Sequence, residues 1–267
     1  MSIKRVGIVG SGIMGSGMAE VAAKAGFEVV LRSRAQATAD AMVASLEKSL
    51  TKQVERGKLS EEDRTAVLGR VRAVSDLGEL ADCDLVIESI VEDLDTKKQL
   101  FTDLDRVCKD GAIIATNTST LPVVEMAMNT GRPEKVCGIH FFNPAPAMAL
   151  VEVVAAITSS DETIAAATEF ATACGKKPVL VKDQAGFIVN ALLFPYLNNA
   201  VRLLDGGVAT RDDIDTAMKG GCNFPMGPLE LLDLVGLDTS LSILEALYAE
   251  FKDPNYEIGR ASCRERV

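Results

Sequence analysis

The chain has 267 residues, of which 48% are hydrophobic and 25% charged, and its formal net charge is −10 at pH 7. This length and composition are ordinary for a globular protein that buries a sizeable core in one large or two ordinary domains. The acidic balance argues against nucleic acid as a partner, because affinity for a phosphate backbone comes mainly from clustered Lys and Arg.

The six cysteines include no C-x-x-C and no two at a metal-ligand spacing, so no metal site is predicted. The N-terminus leads straight into an apolar pattern, without the features of a signal peptide. No apolar run reaches the roughly 18 residues that a membrane span needs. We therefore expect a reduced, cytoplasmic protein with no membrane partner.

Apolar runs alternate with helical patterns over the first part of the chain. Val6–Val9 is a buried-type strand, residues 13–25 follow as a helix, and Phe27–Leu31 is a second strand, which together make one βαβ unit. A long helix is predicted over residues 35–57 and a capped one from Ser60. Further buried strands are predicted at Val71–Val74, Leu85–Ile87, Ala112–Ala115, Val136–Ile139, Leu150–Val154 and Pro178–Val181. This alternation predicts an α/β fold with a Rossmann-like, doubly wound sheet.

The pattern changes after Asp183, where only helical periodicity remains. It predicts a long apolar helix from Ala185 through Leu204, a capped helix at Thr210 and a third after Pro228. We therefore predict two domains, the α/β domain over residues 1–184 and a smaller all-helical domain over 185–267.

A glycine-rich turn joins the first strand to the first helix. It reads Gly10-Ser11-Gly12-Ile13-Met14-Gly15 and fits G-x-G-x-x-G in the strand–helix context that gives this motif its meaning. The glycines permit a tight turn, a close approach of the backbone to a pyrophosphate, and close packing of helix on strand. The motif predicts a dinucleotide site; the alternative is a turn with no ligand.

The residues after the second strand bear on which dinucleotide binds. An NAD enzyme places Asp or Glu there to bond the ribose 2′-hydroxyl, whereas this chain continues Arg32-Ser33-Arg34. A hydroxyl and a flanking guanidinium, Ser33 and Arg34, suit a 2′-phosphate. We therefore favour NADP(H) over NAD(H), against the alternative that both arginines are merely solvated.

His140 is the one histidine of the sequence, and it closes a predicted buried strand. Glu152 lies inside the apolar strand Leu150–Val154, where a carboxylate is costly unless it is paired. The two are twelve residues apart across a reversing loop, so each is the other's natural partner. A Glu bonded to one ring nitrogen leaves the other as a general base, which the oxidation of an alcohol by hydride transfer needs.

Asn117-Thr118-Ser119-Thr120-Leu121 follows another apolar strand at the same predicted sheet edge. Its amide and hydroxyl groups could serve as donors to a ligand. The alternative is that they cap a helix and form a turn, as Ser, Thr and Asn commonly do.

Together the motifs GSGIMG, NTSTL, HFFNPAP, LVEVV, DQAGFIVN and FPMGPLELLDLVGLD resemble the 3-hydroxyacyl-CoA dehydrogenases, over residues 3 to about 256. The single-function bacterial 3-hydroxybutyryl-CoA dehydrogenases are the most similar group. The resemblance implies an oxidoreductase of fatty-acid metabolism that interconverts a short-chain (S)-3-hydroxyacyl-CoA and its 3-ketoacyl-CoA. It also implies a homodimer formed through the helical domain. Acyl chain length and the direction of the reaction in the cell stay open.

The resemblance also assigns roles to individual residues. It implies that His140 is the general base, that Glu152 orients it, and that Ser119 and Asn190 contact the substrate. The positions that match the nicotinamide half of the cofactor site are Glu92, Lys97, Ser119 and Asn143. We also predict that Asn117, in the same loop as Ser119, contacts the cofactor. Ser45 and Lys52 match positions that contact coenzyme A.

The residues themselves give separate support for a coenzyme A site. Lys48, Lys52 and Arg56 recur every four residues on one predicted helix and make a positive stripe in an acidic protein. Such a stripe suits the phosphates of coenzyme A. The alternative is a solvated helix face, since Glu47 and Glu55 are adjacent.

Two features depart from the family pattern. NAD-specific members carry an acid where this chain has Ser33. The last residues, Ile258 to Val267, resemble no family segment, so we interpret about the last ten as non-native and exclude them from the fold.

Two other functions remain as alternatives. Enzymes of the 6-phosphogluconate and 3-hydroxyisobutyrate type share the glycine-rich entry and the helical second domain, but they use a Lys near the reaction centre, whereas this chain has the His140 and Glu152 pair. The second alternative is a non-catalytic relative that keeps cofactor binding.

Overall fold

A computed structural model describes residues 3–257. The atypical segment from Ile258 onward therefore lies outside the described residues. The chain divides into two compact units, the first comprising the residues up to 118 together with 122–183, and the second comprising residues 119–121 and the chain from residue 184.

Across residues 3–257, eight strands form one sheet in the order β3-β2-β1-β4-β5-β6-β7-β8. The strands are β1 (Arg5–Val9), β2 (Glu28–Arg32), β3 (Val71–Val74), β4 (Leu85–Glu88), β5 (Ile113–Thr116), β6 (Val136–Phe141), β7 (Leu150–Ala155) and β8 (Lys177–Lys182). All neighbours are parallel except β6 and β7, which are antiparallel. The strand order reverses between β1 and β4, which is the point where such sheets bind ligands.

Helices cover both faces of the sheet. They are α1 (Ile13–Lys24), α2 (Gln36–Glu55), α3 (Glu61–Gly69), α4 (Leu94–Val107), α5 (Val123–Ala127) and α6 (Asp161–Ala173). α1, α2 and α6 share one buried apolar core with β1, β2 and β4, whereas α4 and α5 bury residues such as Phe101 and Met126 outside that core. The prediction of a doubly wound α/β sheet is confirmed.

The second unit is helical in its described part. Its helices are α7 (Val189–Asp205), α8 (Arg211–Cys222), α9 (Pro228–Val235) and α10 (Leu237–Phe251). They pack around their own apolar core, in which Phe194, Leu197 and Leu247 are almost fully buried. The prediction that this part of the chain folds into helices is thus confirmed.

Two details of the helical unit differ from the sequence prediction. The long helix starts at Val189 rather than Ala185, because Gly186 and Phe187 have φ values of +74° and +48°, which a right-handed helix does not permit. The single helix predicted after Pro228 is two helices, since Gly236, with a φ of +94°, separates them.

Candidate active site

The turn between β1 and α1 is shaped by its glycines. Gly10 has a φ of +142°, and a Cβ there would lie 2.0 Å from the carbonyl oxygen of Ser89. A Cβ at Gly15 would lie 2.4 Å from the carbonyl oxygen of Gly10, so no larger residue allows this approach of helix and strand. At Gly12, which caps α1, a Cβ would meet open space. The turn is therefore closed towards the sheet and open at the helix N-terminus, where backbone N–H groups favour a phosphate.

A cavity of about 920 Å³ begins at this turn. Its wall includes Gly10–Gly12, Arg32–Arg34 from the end of β2 and Ser89–Val91 after β4, and α4 adds polar and apolar side chains. The volume lies near the top of the range for small-molecule and cofactor pockets. A pocket of this size that joins a helix N-terminus to the end of β2 fits a dinucleotide.

The remaining residues of the glycine motif have different environments. Ser11 lines the cavity, Ile13 is 77% exposed, and Met14 packs against the core of the α/β unit. The motif therefore offers the cavity mainly its backbone and the side chain of Ser11.

Ser33 and Arg34 also line the cavity, at the end of β2. Ser33 is 6% exposed, and Arg34 is exposed. The side chain of Arg32 is partly buried, and its Nε donates a hydrogen bond to the carbonyl oxygen of Ser75 at 3.2 Å. Burial lowers the pKa of the Arg32 guanidinium, and the neighbouring Arg34 lowers it further. Of these two arginines, Arg34 is therefore the one whose side chain is exposed to solvent at the cavity.

His140 and Glu152 meet across the antiparallel pair β6 and β7. They are direct register partners, and Nδ1 of His140 lies 2.7 Å from Oε2 of Glu152. His140 is 4% exposed and Glu152 1%, and the ring of Phe142 lies against the imidazole with 4.5 Å between centroids. An ionised carboxylate only accepts hydrogen bonds, so Nδ1 carries the proton in this contact and Nε2 is the basic nitrogen of the neutral ring.

Two asparagines assigned to the cofactor have different environments. The side-chain oxygen of Asn117, just after β5, accepts a hydrogen bond from the backbone N–H of Phe141 at 2.8 Å, which ties the ends of β5 and β6 together. Asn143 is exposed in the loop after β6. The first therefore supports the strand that carries His140, and the second faces solvent.

A second buried carboxylate lies at the end of β4, and its partner is a lysine. Nζ of Lys97, on α4, lies 2.5 Å from Oε1 of Glu88 and 3.2 Å from Oε2 of Glu92. Glu88 and Lys97 are 0% and 1% exposed. Glu88 also accepts hydrogen bonds from the backbone N–H of Ile90 at 2.6 Å and from Oγ1 of Thr116 at 2.7 Å. Glu92 and Lys97, both named from the sequence, are thus in direct contact, and Glu88, which the sequence reasoning did not name, is a second carboxylate partner of Lys97.

Ser119 and Asn190 both belong to the helical unit. Ser119 is partly buried in the short segment 119–121, and Asn190 is 9% exposed in the first turn of α7. Their roles towards a substrate stay predictions.

Ser45 and Lys52 lie on α2, and both are exposed. Lys48 and Arg56 are exposed as well, so the predicted positive stripe faces solvent. Beside this stripe, two other side chains of α2 donate hydrogen bonds to the buried carboxylate of Glu20 on α1 and so tie the two helices together.

Sequence reasoning missed Glu88 and the cavity wall from α4. The predicted fourth strand ended at Ile87, which placed Glu88 in a loop, whereas the strand includes it. A carboxylate that ends an apolar run is the same signal that identified Glu152. The wall residues of α4, among them Gln99 and Leu100, follow from tertiary packing and carry no local signal.

Comparison with known proteins places these features in a family. Residues 5–184 match the family model described as 3-hydroxyacyl-CoA dehydrogenase, NAD binding domain, and residues 186–264 match the C-terminal domain of the same enzymes. The chain belongs to the 3-hydroxyacyl-CoA dehydrogenase family.

Its relatives match over nearly the whole chain. A 3-hydroxybutyryl-CoA dehydrogenase of Mycobacterium tuberculosis is 46% identical, covering 96% of this chain and 90% of the relative, and one of Clostridioides difficile is 45% identical, covering 94% and 90%. The crystal structure of (S)-3-hydroxybutyryl-CoA dehydrogenase from Ralstonia eutropha superposes with a TM-score of 0.96 at 40% identity, covering 98% of this chain and 93% of that one. The resemblance stated from the motifs is confirmed.

Two kinds of feature are absent from residues 3–257. None of the helices described there is long and apolar enough to cross a membrane. In the same part of the chain, no three His, Cys, Asp or Glu side chains are grouped as a metal site requires.

Proposed function

We propose that this chain interconverts (S)-3-hydroxybutyryl-CoA and acetoacetyl-CoA, with NADP(H) as the favoured cofactor. The observation that carries the proposal is the buried contact of 2.7 Å between His140 and Glu152. This contact lies on the same sheet as β1, the strand that the glycine turn follows. The names of the relatives support the substrate class.

The pair supplies acid–base chemistry. In the direction of oxidation, Nε2 of His140 accepts the hydroxyl proton of the substrate, and Glu152 stabilises the imidazolium that results. In the direction of reduction, the same nitrogen returns the proton to the carbonyl oxygen. When bound, the nicotinamide ring accepts or supplies the hydride. Burial of both side chains excludes water and strengthens the charge interaction between them.

The cofactor would be held by the turn at residues 10–15 and by the residues after β4. Ser33 and Arg34 carry the preference for NADP(H), because a buried hydroxyl and an exposed guanidinium at the end of β2 suit a 2′-phosphate. Asn117 acts by supporting the end of β6. In this proposal Glu92, Lys97 and Asn143 serve the nicotinamide half.

The predicted substrate residues fall into two sets. We assign Ser119 and Asn190 to the acyl thioester, and Ser45 and Lys52 to coenzyme A. The exposed positive stripe on α2 supports the second assignment, because the net charge of the chain is −10 and this face is locally cationic.

The proposal also includes domain roles, assembly and location. We assign dinucleotide binding to residues 1–184, and substrate binding and homodimer formation to the helical domain from residue 185, in a cytoplasmic protein.

Large apolar side chains of the helical unit are highly exposed, among them Leu192 at 72%, Val208 at 69% and Leu234 at 71%. Burying such side chains between two copies would stabilise a dimer, which light scattering would detect.

One turnover assay tests the function. The purified protein should reduce acetoacetyl-CoA with NADPH, and kcat/KM with NADPH should exceed that with NADH. It should not oxidise 6-phosphogluconate or 3-hydroxyisobutyrate. Cofactor binding without turnover of acetoacetyl-CoA would instead favour a non-catalytic relative.

A further inference from the structure

The ion-pair network at the ends of β4 and β5 has a fixed arrangement of charge. It consists of the carboxylates of Glu88 and Glu92, the ammonium of Lys97, and the hydroxyls of Thr116 and Thr118. Oε1 of Glu88 accepts from Lys97 and from the backbone N–H of Ile90, and Oε2 accepts from Thr116. Both carboxylate oxygens of Glu88 thus have close hydrogen-bond donors.

Glu92 completes the network on its exposed side. Its carboxylate contacts Lys97 at 3.2 Å and accepts a hydrogen bond from the hydroxyl of Thr118, and its side chain is 41% exposed. Two carboxylates and one ammonium leave the network with one net negative charge. Asp93 and Asp95, the nearby acids at the start of α4, are exposed and have the same sign.

The strand order sets where this charge lies along a bound dinucleotide. A dinucleotide on such a sheet has its adenosine at the end of β2 and its pyrophosphate at the turn after β1. The strands that follow β1 in the sheet are β4, β5 and β6, spaced about 4.8 Å apart. The network lies at the ends of β4 and β5, between the glycine turn and His140 on β6. The ring that exchanges a hydride near His140 must therefore extend over this region.

We propose that the Glu88–Lys97–Glu92 network makes the site bind the oxidised dinucleotide more tightly than the reduced one. This inference rests on the proposed function. Only the oxidised nicotinamide ring carries a positive charge, so a fixed net negative charge attracts it and has no matching effect on the neutral reduced ring. At an effective dielectric constant between those of protein and water, one charge at this range changes the affinity by roughly three- to tenfold.

Calorimetric titration tests the proposal without turnover. We would measure Kd for NADP⁺ and NADPH, and for NAD⁺ and NADH, with the wild type and with Glu92→Gln and Glu88→Gln. Each substitution removes one negative charge and keeps the shape of the side chain. In both variants the preference for the oxidised form should fall about three- to tenfold. Glu92→Gln is the safer variant, because Glu92 is partly exposed and Glu88 is fully buried.

Glu125→Gln is the matched control. Glu125 forms an ion pair with Lys98, the residue next to Lys97 on α4, at 2.6 Å, and it does not line the dinucleotide cavity. The ratio of the two affinities should not change in this variant. An unchanged ratio in a folded Glu92→Gln protein that binds both forms would overturn this inference alone. Failure of the wild type to bind any of the four nucleotides would overturn the proposed function as well.

Discussion

Two buried carboxylates on strands of one sheet, each with a basic partner, make an informative comparison. His140 and Glu152 face each other across antiparallel strands, whereas Lys97 reaches from a helix to Glu88 at the end of a parallel strand. In both pairs an apolar strand contains a carboxylate that a cation or imidazole partners. The partner determines whether the pair suits acid–base catalysis or only stability, because an imidazole can gain and lose a proton near neutral pH and an ammonium does not.

The pair that includes the histidine should show the largest effect on catalysis. We expect His140→Ala or Glu152→Gln to lower kcat by roughly 10²–10⁴, because either change removes the base or its orientation. Dinucleotide affinity, measured by calorimetry, should change little in both variants. Turnover like that of the wild type in either folded variant would remove the acid–base assignment.

The lysine pair should instead show its effect in stability. We expect Lys97→Met to lower the free energy of unfolding by roughly 3–5 kcal/mol, since it leaves the fully buried Glu88 without its cation. Denaturant unfolding measures this value. Lys98→Met is the control, because its ion pair with Glu125 is partly exposed and is worth about 1 kcal/mol or less. Equal losses in the two variants would show that burial does not distinguish the pairs.

The end of β2 should control the choice between the two cofactors. Ser33→Asp places a carboxylate where a 2′-phosphate would bind, so the ratio of kcat/KM for NADPH to that for NADH should fall about tenfold or more. Ser33→Ala is the control, because it removes the hydroxyl without adding charge and should have a smaller effect. A wild type that prefers NADH tenfold, or a ratio unchanged in Ser33→Asp, would mean that the ribose is recognised elsewhere.

The smallest effect is expected on the exposed face of α2. Lys52→Ala should raise KM for acetoacetyl-CoA roughly three- to fivefold, with kcat little changed, because an exposed charge contributes about 1 kcal/mol or less. The difference should shrink at high salt. Lys58→Ala, an exposed lysine beyond the end of α2, is the control. If both substitutions change KM equally, the stripe has no specific role.

The comparison of the two pairs also shows how far the sequence alone leads. The doubly wound fold followed from strand and helix periodicity, and the partnership of His140 with Glu152 followed from a carboxylate in an apolar strand beside one available imidazole. Glu88 stands at the last position of its strand, where the same carboxylate also suits a loop, so its burial depends on packing by α4. The late start of α7 depends on backbone angles at Gly186 and Phe187, which residue type does not determine.

The most direct measurement of the proposed chemistry uses the fact that the sequence contains one histidine. In a protein labelled with ¹⁵N-histidine and prepared without a histidine tag, the two ring nitrogens of His140 give the imidazole signals that report its tautomer. With the ring neutral, we predict that Nδ1 carries the proton, donated to Glu152, and that Nε2 is unprotonated. A neutral ring with the proton on Nε2 would contradict the account, because that nitrogen could not then accept the proton of the substrate.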